Sequence, residues 1–303
     1  MDLRQLNTLV AIADTGSFSA AADVLHTVQS NVSAHVRRLE KELGVTLVDR
    51  ARGKLTEEGE AVVARARRVS AEIDGIVADV AAVHHEVTGT VRLGMIGTTG
   101  RWLVPRLLEL LPSEYPGVRL VLVEGTTTTL APQLTTGRLD LAVLNLPVAD
   151  ADVSTQPLFE EDLVLVVERT HPLASGRPKL KDLDGLDVLL PLPGTAFRDE
   201  LDAACAQAGM TLTPKSEIDG VRLLTSLTFE GHGPAILPAT AMRTFLQETY
   251  AAVEVKGLPR RVIGVGQRRL GLPTAPARAV HALVRAVVLD HPPDGIHPTI
   301  TER

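Results

Sequence analysis

The sequence of 303 residues has one cysteine, Cys205, and so closes no disulfide within itself. That fits a reducing compartment and excludes a small cystine-stapled fold. Aromatic residues make up only 3% of the chain, which leaves the cores to Leu, Val, Ile and Ala. No stretch approaches the roughly 18 uninterrupted apolar residues of a membrane span. Met1 to Val10 mixes Asp2, Arg4, Gln5 and Asn7 among its apolar residues, unlike a secretory signal. The chain therefore reads as cytoplasmic, with no membrane partner. Catalytic signatures are also missing: there is no Gly-x-Ser-x-Gly elbow, Walker loop or His-Glu-x-x-His. Gly94-Met95-Ile96-Gly97 is not a dinucleotide fingerprint, and the adjacent His84 and His85 point to different sides of a helix. Nothing calls for an enzyme, a cofactor or a metal.

What is present is long enough for two or three domains. A net charge of −6 argues against a nucleic-acid binder, and residues 1–58 hold seven bases against eight acids. Six of those bases, however, fall between Arg37 and Lys54. Charge fields act locally, so spacing decides. Leu3, Leu6, Leu9, Val10 and Ala13 recur at helical spacing up to Gly16. Ser17 can cap a second helix with Phe18, Ala21, Ala22 and Leu25 on its apolar face. After a break at His26-Thr27-Val28, Thr27 is the expected cap of a third helix, Val28 to Leu43. Its inner face would carry Val32, Val36, Leu39 and Leu43, and Gly44 would close it. Outward it presents Gln29, Ser30, Asn31, Ser33, His35, Arg37 and Arg38. Amides there can read base edges, while hydroxyls and guanidinium groups fix phosphates. Such a face also suits any solvated helix. A short β-excursion from Val45 to Thr56 follows, turning at Gly53 and carrying Arg50, Arg52 and Lys54. A basic hairpin beside a helix-turn-helix is a wing, placed to meet DNA backbone. Thr56 then caps a further helix with Glu57 and Glu58 in its first turn.

Three blocks of this region, 6–22, 29–44 and 47–59, together resemble the opening of LysR-type transcriptional regulators. Val48 departs from the phenylalanine usual before Arg50, and His35 stands where arginine or glutamine is common. The resemblance implies a double-stranded DNA partner, contacted by the outward groups of the third helix with Thr27 at its start and by the three wing bases.

From Glu58 to about Val87 runs a proline-free helical pattern. Val62, Val69, Ile73, Ile76, Val80, Val83 and Val87 form a heptad seam, with Ala66 filling the skipped position. So narrow a stripe asks for a second helix, giving a homodimer; packing on the chain's own C-terminal half is the alternative. Thr88-Gly89-Thr90 is the expected hinge. Strands then alternate with helices: strands at 91–96, 118–123, 139–146, 163–167, 188–190, 235–237 and 261–265, and helices at 102–111, 128–136, 197–209, 221–229 and 275–289. Short apolar strands between helices indicate a parallel α/β sheet.

This half resembles the family's effector-binding domain, which looks like a periplasmic binding protein. The resemblance implies a winged helix-turn-helix at 1–58, a linker helix at 59–88 and a two-lobed α/β effector domain at 89–303. The lobes would be about 90–163 with 268–303, and 164–267, around a cleft; a homotetramer is also implied. Ligands of such sheets lie at strand ends against helix starts. Thr98 and Thr99, Thr126, Thr127 and Thr128, and Thr195, Phe197 and Arg198 are the expected contacts to a small, anionic effector. Ordinary helix capping by these threonines is the rival reading. Glu230 to Pro234 resembles a loop at the cleft's border, where His232 suits solvent better than a ligand. Peroxide-sensing members of the family depend on a cysteine pair that this chain lacks, and Cys205, in Ala-Ala-Cys-Ala, reads as a packed small residue. The C-terminal half alone would also suit a solute-binding transport protein; the missing signal peptide and the added winged domain count against that. The tail from His291 to Arg303 reads as a frayed end.

Overall fold

The computed structural model describes residues 1–50, 52–84, 86–242, 246–290 and 292–301. Three short helices open the chain: α1 (Leu3–Thr15), α2 (Phe18–Val24) and α3 (Gln29–Leu43). Asp2 caps α1 by accepting from the Gln5 N–H, and Gly16 ends it in the left-handed conformation at φ 73°. Ser17 caps α2 as expected. At α3 the expectation fails by one residue. Val28 is the capping position and offers no side-chain bond, while the Thr27 hydroxyl instead accepts from the Asn31 amide at 3.0 Å. Val32, Val36 and Leu39 pack inward with Leu9, Leu47 and Val63, but Leu43 lies exposed beyond this core. The wing is two short antiparallel strands, β1 (Val48–Asp49) and β2 (Lys54–Leu55), with Gly53 at φ 65° in the turn.

Thr56 caps the 27-residue helix α4 (Glu57–Val83). The helix stops short of Val87, and Thr88-Gly89-Thr90 is not a hinge: it pairs with Gly117–Arg119 as the start of strand β3 (Thr88–Ile96). Two faces of α4 have different fates. One buries Gly59, Val63, Ala66, Gly75 and Ala78. Its near end is held against the winged domain, where a Cβ on Gly59 would lie 2.0 Å from the Leu47 carbonyl oxygen. Its far end lies on the chain's own C-terminal half, where Glu72 bonds Arg268 at 2.8 Å and Asp79 accepts from the Ala275 N–H at 3.0 Å. The other face leaves Ile76, Val80 and Val83 in solvent.

The C-terminal half is built on one sheet path. Strands β3, β4 (Gly117–Gly125) and β5 (Leu141–Leu146) are parallel and carry helices α5 (Gly97–Glu114) and α6 (Thr127–Thr135). Strand β6 (Val153–Glu168) crosses from the first lobe to the second. Its first part pairs with β11 (Arg260–Arg268), and its second part with β9 (Ala235–Pro238) and β10 (Tyr250–Glu254). The second lobe adds β7 (Asp187–Pro191), α7 (Ala196–Ala208), β8 (Thr213–Ile218) and α8 (Val221–Phe229); α9 (Ala275–Asp290) returns to the first. The sheet is thus mixed rather than parallel, because β6 and β11 carry the chain across in opposite senses. β11 pairs with β5, and its Ile263 and Val265 belong to the first lobe's core. The chain therefore returns to the first lobe at β11, earlier than residue 268. Among its described residues the tail is docked rather than frayed: β12 (Ile296–Pro298) pairs with β6 and buries Ile296.

Candidate functional sites

On α3, Gln29, Ser30, Asn31, Arg37 and Arg38 are exposed and Ser33 is half-buried. His35 is half-buried, with its Nδ1 enclosed without a hydrogen-bond partner among the described residues. In the wing, Arg52 is 82% exposed and Lys54 is exposed beside it. Arg50 is tied back to Glu40 at 2.9 Å, and the same carboxylate accepts from the Leu47 N–H at 3.0 Å. Arg50 thus braces the wing against α3.

Between the lobes lies a cavity of about 340 Å³, lined from both sides. The first turns of four helices border it: α5 through Thr98, α6 through Thr127 and Thr128, α7 through Ala196 and Phe197, and α8 through Val221 and Arg222. Free N–H groups and positive dipole ends converge on that space, an arrangement that favours negative charge. Thr126 and Thr195 also line it, but the Thr126 hydroxyl is held by those of Thr128 and Thr129, and the Thr195 hydroxyl caps α7. Thr127 accepts from the Asn145 N–H at 2.9 Å, which ties α6 to the end of β5.

Two expected contacts do not reach the cavity. Gly97-Thr98-Thr99-Gly100 forms the first turn of α5 rather than a loop, so neighbouring side chains point about 100° apart. Thr98 therefore faces the cleft, while Thr99 is fully buried with its hydroxyl unpartnered among the described residues. Arg198 is a buried strut of the second lobe, bonding the Pro191 carbonyl and Glu217 at 2.9 Å each and Asp202 through its Nε. Glu230 borders a neighbouring cavity instead, and His232 is 60% exposed, as expected of a solvent-facing residue.

The group that sequence reasoning missed is Arg261. It lines the cavity at the crossing of the lobes, almost fully buried, with its guanidinium 5.9 Å from the Phe197 ring centre. Its Nε donates to Glu161, which is wholly buried, at 2.9 Å, and its Nη2 donates to the Thr98 hydroxyl at 2.7 Å. Glu161 also accepts from the Thr240 N–H at 3.2 Å. A usable signal existed: Glu160-Glu161-Asp162 and Arg260-Arg261 are charges set inside strands, where charge is costly unless paired. Among the contacts that bridge the lobes, two flank the cavity. Arg222 on α8 pairs with Glu124 on β4, and the Asn145 amide donates to Glu200 on α7 at 3.3 Å. Burial pushes Glu200 up from 4.5 to about 7, against the Asn145 bond and the Arg261 charge.

A winged helix-turn-helix joined by a long helix to a two-lobed ligand-binding fold also emerges from comparison with known proteins. Residues 3–60 match the family described as bacterial regulatory helix-turn-helix protein, lysR family. Residues 84–288 match the LysR substrate binding domain. The chain belongs to the LysR family of transcriptional regulators. Among curated relatives, a probable hydrogen peroxide-inducible genes activator of Streptomyces viridosporus is 36% identical over 80% of this chain and 78% of that protein. The DNA-binding transcriptional dual regulator OxyR of Escherichia coli K12 is 31% identical over 92% of both. Among solved structures, a cysteine-to-aspartate variant of full-length OxyR from Pseudomonas aeruginosa superposes with a TM-score of 0.78 at 27% identity, over 95% of both chains. The LysR-type regulator described here thus pairs a DNA-binding helix-turn-helix with an effector-binding domain, and it is not an enzyme. No helix among the described residues is long and apolar enough to cross a membrane.

Proposed function

We propose that this regulator reads its operator with α3 and the wing, and that its DNA binding answers to a small acid held without covalent bonds between the lobes. The cavity carries this reading. Four helix starts, the Thr98 and Thr127 hydroxyls and the Arg261 guanidinium surround one space of about 340 Å³. Relatives are named for hydrogen peroxide-inducible genes. This chain has one cysteine, which is buried, and burial pushes its thiol up from the ordinary range. Thiolate is the reactive form, so these facts support reversible effector binding over disulfide chemistry. The exposed Ile76, Val80 and Val83 seam supports a homodimer through α4, and family likeness supports a homotetramer of two such dimers working in the cytoplasm. Residues 1–58, 59–88 and 89–303 divide these tasks.

A thermal-shift screen of small mono- and dicarboxylic acids tests the reading, followed by mobility-shift assays on DNA upstream of the gene. At least one acid should raise the melting temperature and change the shift. Calorimetry on Thr98→Val and Thr127→Val should then show a loss of about 1–3 kcal/mol, or roughly 5- to 150-fold in affinity, for a ligand oxygen left unpaired. A panel without any stabilising acid, together with a peroxide-modified Cys205 that alters DNA binding, would overturn it.

A further inference from the structure

Asn145 and Glu200 meet across the cleft, one at the end of β5 in the first lobe and the other on α7 in the second. That contact uses the Asn145 nitrogen and only one of the Glu200 oxygens. Asn145 Nδ2 donates to Glu200 Oε1, whereas Glu200 Oε2 and Asn145 Oδ1 are both buried without a hydrogen-bond partner among the described residues. Two enclosed acceptors without donors are costly to leave unmade. A proton on Glu200 removes half of that cost, since a carboxylic acid donates where a carboxylate only accepts. The Asn145 amide serves either state: its nitrogen donates to the carboxylate, and turned over, its oxygen accepts from the acid.

The surroundings favour the neutral form. Arg261 on β11 is the charged group acting on Glu200, and its Nε and Nη2 are already engaged by Glu161 and Thr98. β5 brings Asn145 and no ionisable group. On α7 itself, Arg198 and Asp202 are bonded to each other, and Asp199 is exposed. Against another side of α7, the turn Leu180–Leu183 has Lys181 and Asp182 exposed, with the Asp182 carboxylate turned onto the Lys179 N–H.

We propose that the Asn145–Glu200 contact is a proton-operated latch on the effector cleft: lobe closure takes up a proton at Glu200, and ionisation of Glu200 parts the lobes. This deepens the reading of the cleft as the effector site and rests on it. With the lobes apart, Glu200 returns to water and to its ordinary value of 4.5; with them closed it titrates near 7. Linkage then makes the ratio of closed to open molecules fall about tenfold between pH 6 and 8.5.

Double electron–electron resonance on the effector-free, full-length protein tests this. Nitroxides are placed at Glu109→Cys on α5 and Glu254→Cys on β10, both exposed, in a Cys205→Ala background. The short-distance population should shrink about tenfold relative to the long one from pH 6 to 8.5. Glu200→Gln, a permanently neutral stand-in, should stay closed at both values. A carbon-13 titration of glutamate carboxyls reads the proton itself, with one midpoint near 7 that vanishes in Glu200→Gln. Distances indifferent to pH, the same pH response in Glu200→Gln, or a Glu200 midpoint below 5 would each overturn the latch. A failed latch leaves stabilisation by the cleft's carboxylic acids intact, and a failed effector reading leaves the pH response intact, so the two are told apart.

Discussion

At the scale of single residues, exposure separates groups that read from groups that brace. Gln29 is exposed on α3, while Arg52 is exposed on the wing, its Nε 3.6 Å from the Asp49 carboxylate. Gln29→Ala should cost about 1–3 kcal/mol at one base pair and relax preference there. Arg52→Ala should instead weaken all sequences alike and flatten the salt dependence by about one unit. Fluorescence anisotropy on operator and random DNA at several salt concentrations distinguishes them; equal losses on both DNAs for both variants would sink the assignment. The Arg261–Glu161 pair makes the complementary point about buried charge. Arg261→Leu leaves a wholly buried carboxylate without its main partner, and one-sided removal of this kind costs about 3–5 kcal/mol. Urea unfolding should show that loss; a midpoint equal to wild type would mean that Glu161 is satisfied elsewhere.

At the scale of elements, α4 carries a pattern with two readings, packing within the chain and pairing with a second copy. Its valine and isoleucine seam was visible from spacing, and so was the alternative of packing on the same chain. Small residues Gly59, Ala66, Gly75 and Ala78 allow close approach within the chain; of the seam, Val62 and Ala66 pack into the winged-domain core, and Ile76, Val80 and Val83 are left outward. Ile76→Asp should put an unpaired charge into any interhelical seam without disturbing the fold, since Ile76 is 64% exposed. Light scattering should then report a smaller species and anisotropy a sharp loss of DNA affinity; unchanged mass would end the dimer reading. The helices of the winged domain and the apolar strands were legible because each has one periodic signal and a cap such as Ser17 or Gly44. Strand β8 was not, since it carries one buried residue, Ile218, among polar ones. Nor was the charged middle of β6, whose Glu160, Glu161 and Asp162 pair with Arg260 and Arg261, distant in sequence. For the same reason the cleft was half legible: threonines after glycines mark helix starts, but Arg261 joins Thr98 across 163 positions of chain.

At the scale of the whole molecule, groups with shifted protonation set opposing limbs of stability against pH. Burial raises Glu200 from 4.5 to about 7 and raises Asp140 as well. A raised carboxyl contributes stability in full below its unfolded value, and that contribution is lost as pH climbs through its folded one. The alkaline limb should therefore fall through about pH 7. The acid limb has other owners. Burial lowers His281, so its stabilisation is present above the ordinary 6.5 and lost as pH falls beneath it. Asp162 is held below 3.8 because bonds from His297 and Arg260 outweigh its partial burial, and its contribution fails only as pH drops below that range. His297 belongs to the docked tail, so the C-terminus takes part in this limb. Thermal melting at fixed ionic strength should show wild type declining from pH 6.5 to 8.5. Glu200→Gln should be nearly flat over the same span and more stable than wild type at pH 8.5. His297→Ala should leave the alkaline decline unchanged and soften only the acid side, because the Asp162 carboxyl then loses the partner that lowers it. If Glu200→Gln tracks wild type across the alkaline limb, Glu200 is not the group that ionises there.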